Sequence, residues 1–135
     1  MKSPKSIVFI VVISLLVGGL QFFIGPHYSG WGRVFVGGYL MDILLPFNLF
    51  LLFQIPLRKR LSVSASRGLS AGTVAAIGLT TELAQYFHWH LFGTTFDPWD
   101  LLMYAIGICM GWMVDHALIH NWEHQASAAA ASDAL

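Results

Sequence analysis

Three carboxylates fall inside apolar stretches: Asp42 after Tyr39-Leu40-Met41, Glu82 before Leu83-Ala84, and Asp100 before Leu101-Leu102. An ionisable side chain in hydrocarbon costs about 2.5–3.5 kcal/mol on insertion scales, so such groups face a bundle interior and mark a site. Other polar groups accompany them. Gln85 follows Glu82 by three positions, Tyr104 follows Asp100 by four, and Asp97 precedes Asp100 by three. Acids and hydroxyls grouped in this way suit a cation, a proton or a hydrogen-bonding headgroup. Asp97 and Asp100 together could hold Mg²⁺ or Mn²⁺, which prefer carboxylate oxygen. No lysine or arginine lies within these stretches, and Arg33 is the nearby cation that could pair with Asp97 or Asp100. Glu82 is expected to be neutral or hydrogen-bonded to Tyr104 or a neighbour, because desolvation disfavours its charge. The alternative is that all these groups only tie helices together.

A second pattern is His116, His120 and His124, with Asp115 and Glu123 beside them. Imidazoles four residues apart share a helix face and could bind a metal. One of them could serve as an axial haem ligand. The same stripe also reads as an interfacial face where a helix leaves the membrane, so no cofactor is specified. His88 and His90 would point about 200° apart on a helix and form no chelate. The serines lack the G-x-S-x-G context of a nucleophile elbow. Cys109 is the single cysteine, which excludes an intramolecular disulfide and a multi-cysteine metal site.

The elements that must carry these residues are helices in lipid. Of 135 residues, 56 % are hydrophobic and 10 % charged, whereas a soluble domain is about 25 % charged. The fold class is all-α: a polytopic membrane bundle of about four transmembrane helices, near 6–24, 33–57, 69–91 and 98–120. Each matches the roughly 20 residues needed to cross the hydrocarbon core. Gly25-Pro26, Ser29-Gly30, Arg58-Lys59-Arg60, Gly93-Thr94 and Asp97-Pro98 separate them with loop chemistry. Residues 1–124 form one domain, and the Ala- and Ser-rich segment 125–135 is expected to fray. The first apolar run reads as a retained helix rather than a cleaved signal, because no small-residue cleavage site follows it. Lys2, Lys5, Arg58, Lys59, Arg60 and Arg67 mark one side of the membrane and only Arg33 the other. The positive-inside rule therefore places both termini in the cytoplasm. Zero net charge without a basic block excludes nucleic acid as a natural partner.

Depth and face follow from this layout. Asp42 and Glu82 each lie about nine residues, or roughly 13 Å, from the outer surface. Glu82, Gln85, Tyr86 and Trp89 share one side of the third helix, and Gly68, Gly72, Ala75 and Gly78 continue that stripe. On the fourth helix, Asp97, Asp100, Tyr104, Gly107, Gly111 and Asp115 share a side. Small residues permit close approach, so helices three and four are expected to pack through their glycine faces. Pro46 has no N–H to give the carbonyl of Asp42, which adds an acceptor at that depth.

Thr81-Glu82-Leu83-Ala84-Gln85, Phe96-Asp97-Pro98-Trp99-Asp100 and Gly107-x-x-x-Gly111-Trp112 together resemble the VanZ-like membrane proteins. In that family an E-x-x-Q on one helix precedes an F-D-x-x-D that opens the next. The likeness covers about Thr80 to Asp115 and makes Glu82, Gln85, Asp97 and Asp100 the motif positions. Where many members carry an arginine before the F-D pair and an asparagine after the second aspartate, this chain has Thr94 or Thr95, and Tyr104. The resemblance implies a bacterial plasma-membrane protein with an envelope or glycopeptide-target role, with no defined activity.

Three functions compete. The first is a non-enzymatic protein whose outward polar pocket binds a lipid headgroup, envelope precursor or ion. The second is an accessory subunit that meets partner membrane subunits through its glycine faces. The third is a metal-dependent enzyme on lipid-linked substrates.

Overall fold

A computed structural model describes residues 3–24, 27–33, 35–87 and 98–132. These residues form four long helices and no strand. They are α1 (Pro4–Ile24), α2 (Phe35–Leu57), α3 (Val63–Tyr86) and α4 (Pro98–Ser132). Helices α1, α2 and α4 are long and apolar enough to cross a membrane. Helix α3 has 24 residues, but its serines and threonines together with Arg67 and Glu82 make it more polar than the others.

Three of the helices begin on a local signal. Pro4 occupies the first turn of α1, where its missing N–H costs nothing. Ser62 caps α3, its hydroxyl accepting from the Ala65 N–H at 3.3 Å. That cap starts α3 six residues before the expected Leu69, so Arg67 is helical rather than part of the joint. Helix α4 opens on Pro98 and continues through the expected end at His120 to Ser132. The Ala- and Ser-rich segment is thus helical over residues 125–132, in keeping with alanine's high helix propensity. Wide π-type turns interrupt the α geometry at Leu20–Ile24, Phe35–Tyr39 and Asp115–Ile119.

Helix α2 is the hub. It packs against all three other helices and most extensively against α4. The core is built from Ile10 of α1, Phe47, Phe50 and Leu51 of α2, Val74 of α3 and Ile119 of α4. Helix α1 leaves Leu15, Leu16, Phe22 and Phe23 exposed and buries only Ser6, Ile10 and Val17. A helix apolar on nearly every side fits lipid rather than water as its surroundings.

The glycine contacts differ from those expected. A methyl on Gly107 would overlap the Ile43 carbonyl and the Pro46 ring, and one on Gly111 would press into Phe50. The α4 glycines therefore seat α4 on α2. A methyl on Gly68 or Gly72 of α3 would meet no atom within 4 Å, while Gly78 lies under the Tyr104 ring. The close α3–α4 approach is a tyrosine on one glycine, not two glycine faces. The Tyr104 ring, seated over Gly78, fills the space between the two helices there.

Candidate functional site

A cleft of about 310 Å³ opens between α2, α3 and α4. Asp42, Thr81 and Tyr104 supply polar groups to its wall, and Leu45, Leu49, Val74 and Ile77 supply apolar surface. The Thr81 hydroxyl donates to the Ile77 carbonyl at 3.0 Å, and its oxygen can still accept. Pro46, also on the wall, is buried and sets the α2 backbone below Asp42. Gly78 makes room for the Tyr104 ring, which closes one side.

Asp42, Glu82 and Asp100 all lie within electrostatic reach of the Tyr104 hydroxyl. Three helices thus bring Asp42 and Glu82, expected at a common depth, to one region with Asp100 and Tyr104. Glu82 is 1 % exposed. Asp100 is partly buried, and so is Gln85, whose Oε1 is enclosed without a hydrogen-bond partner among the described residues. Asp97 lies outside the described residues, as do His88 and His90. Arg33 is exposed, and the arginine ion pairs of the described residues are made elsewhere. The acidic region is therefore lined by acceptors and hydroxyls. Its chemistry suits a cation, or a headgroup rich in hydrogen-bond donors, above an apolar chain.

His116 and His120 stack in parallel with ring centroids 6.3 Å apart. His116 and His124 are exposed, and His120 is partly buried. Among the described residues, no group of three His, Cys, Asp or Glu side chains is arranged to hold a metal ion.

At the other end of the bundle lies a second polar centre, which the sequence pattern did not single out. Asp115 is fully buried in the π-type turn of α4. Its carboxylate accepts from Arg58 Nη2 at 2.5 and 2.6 Å and from Arg67 Nε at 2.6 Å. Arg58 Nε donates to Gln54 Oε1 at 3.0 Å, and Gln54 Nε2 donates to the Ser70 hydroxyl at 3.0 Å. Gln54, Ser66 and Ser70 are all fully buried. Burial holds the Arg58 guanidinium below its ordinary range and Arg67 adds to this, while Asp115 and Glu123 oppose it. Arg58 lies in the expected joint after α2 and Arg67 within α3, but the expectation that the interior carries no basic partner is corrected here. The Arg58 and Arg67 side chains are only 4 % and 12 % exposed. The signal available in sequence was Asp115 itself, four residues past Gly111 on the same face.

Smaller ties complete the frame. The Ser14 hydroxyl lies 2.7 Å from Asn48 Oδ1, and Gln21 Nε2 donates to the Met41 carbonyl at 3.4 Å, both joining α1 to α2. Trp122 packs edge-on against Phe9, and Glu123 accepts the Ser3 N–H at 2.9 Å, joining α1 to the extended end of α4. Compared with protein families, with curated proteins and with solved structures, the chain matches none.

Proposed function

We propose that this chain is a non-enzymatic, VanZ-like membrane protein whose α2–α3–α4 cleft binds an amphiphile by its polar head. The observation that carries this reading is the cleft's composition. Asp42 and Tyr104 stand over Leu45, Leu49, Val74 and Ile77, with Glu82 and Asp100 close by. A head bearing a positive charge or several hydroxyl donors would be attracted by these carboxylates. Its chain would cover the apolar wall. An anionic head would face like charge there, so the cleft selects against it. Four spanning helices, with the basic residues and both termini on the cytoplasmic side, would place the cleft in the outer half of the membrane.

The test is thermal unfolding of the purified full-length protein against a panel of short-chain amphiphiles. The panel holds a quaternary ammonium, a sugar and a phosphoglycerol head on the same tail. A ligand that binds only the folded state raises its stability with concentration. Saturable stabilisation by the ammonium or sugar amphiphile, reduced in Asp42→Asn and Tyr104→Phe, supports the reading. Equal responses to all three heads, unchanged by either substitution, would refute it.

A further inference from the structure

The basic end holds guanidinium donors that the cleft at the opposite end does not explain. Two nearly buried guanidiniums share one buried carboxylate. Arg58 Nη1 and Arg67 Nη2 are enclosed and have no hydrogen-bond partner among the described residues. Gln54, the other group bound to Arg58, is neutral. A buried donor left without an acceptor is costly, more so when charged. Beside Arg58 lies a recess of about 260 Å³, walled also by His120, Glu123, His124 and Ser127. Glu123, on the same wall, is a second acid whose charge acts on Arg58, and one of its oxygens accepts the Ser3 N–H.

We infer that this recess is a binding site for a phosphate group, with Arg58 as its principal contact and Arg67 supplying further positive charge. The group's oxygens supply acceptors for guanidinium N–H donors, the geometry in which arginine exceeds lysine. His120, His124 and Ser127 add donors around the rim. The phosphate belongs either to an anionic lipid at the cytoplasmic leaflet or to a soluble phosphate. The inference does not depend on the acidic cleft at the opposite end.

The experiment is thermal unfolding of the full chain in a non-ionic detergent. It is titrated separately with inorganic phosphate, dioctanoyl-phosphatidylglycerol and dioctanoylglycerol, which has the same tails without phosphate. Stabilisation by phosphatidylglycerol alone identifies a lipid site, and stabilisation by inorganic phosphate as well identifies a site for the free group. In either case Arg58→Lys, which keeps the charge and removes the fork, weakens binding about tenfold or more. Ser127→Asp, at an exposed position on the recess wall, weakens it several-fold without requiring any buried group to change. Lys59→Gln with Arg60→Gln, at positions outside the recess, leaves it within about twofold. No saturable response to either phosphate compound overturns the inference. An equal response to dioctanoylglycerol does so too, as does binding that Ser127→Asp leaves intact.

Discussion

Replacing Asp115 by asparagine leaves two buried guanidiniums facing a neutral amide. In the native protein the carboxylate accepts three charge-assisted hydrogen bonds at 2.5 to 2.6 Å and is 0 % exposed. Two opposite charges about 4 Å apart attract by roughly 4 kcal/mol at an effective dielectric near 20. Desolvation offsets much of that attraction in the intact pair. It is not recovered when one partner is removed, so breaking a buried pair costs about 3–5 kcal/mol. Asp115→Asn falls at the upper end of this range, because two cations lose their anion at once and repel each other. Arg67→Gln leaves the Arg58–Asp115 pair balanced and costs less, about 1–3 kcal/mol for the lost charged hydrogen bond. The ordering matters more than either value. Denaturant unfolding of the two variants in the same detergent measures it. A loss below about 1 kcal/mol for Asp115→Asn, or a greater loss for Arg67→Gln, would refute the buried-network reasoning.

The remaining predictions concern packing and reach. Gly107→Ala pushes a methyl into the Ile43 carbonyl and Pro46 and destabilises by about 1–3 kcal/mol, as overpacking does; Gly72→Ala, with open space around it, is neutral or slightly stabilising in the same melt. Ser14→Ala removes the contact with Asn48 and costs about 0.6 kcal/mol, with an upper value near 1.7, by thermal unfolding. Trp122→Ala loses an edge-on ring contact worth about 0.5–1.5 kcal/mol beyond its buried area. It also frees the Phe9 end of α1, read as faster protease cleavage after Lys5.

Much of the scaffold was legible because lipid imposes a length and a composition on every helix. The starts of α1, α2 and α4 fall within a few residues of the apolar boundaries. The nearness of Asp42 and Glu82 to Tyr104 accords with their common rise from one end, with Asp100 one turn nearer that end than Tyr104. What depth cannot supply is the neighbour across a helix pair. Gly107 and Gly111 announce a close contact, yet only the packed structure shows that Phe50 and Pro46 of α2, not α3, receive it. Arg58 and Arg67 were the harder case. Their surroundings, Lys59, Arg60 and several serines, have the composition of a solvated loop. Burial followed from two tertiary facts: the Ser62 cap that starts α3 early, and the unbroken run of α4 that carries Asp115 between them.

The central claim is that the acidic cleft holds an amphiphile by its head. Native mass spectrometry of the protein released from gentle detergent tests it most directly, comparing wild type with the Asp42→Asn/Tyr104→Phe double variant at matched folding. The expected result is a bound amphiphile with a cationic or hydroxyl-rich head on the wild type, and its loss from the variant. Identical retention by both proteins, or retention only of anionic lipids, would contradict the claim.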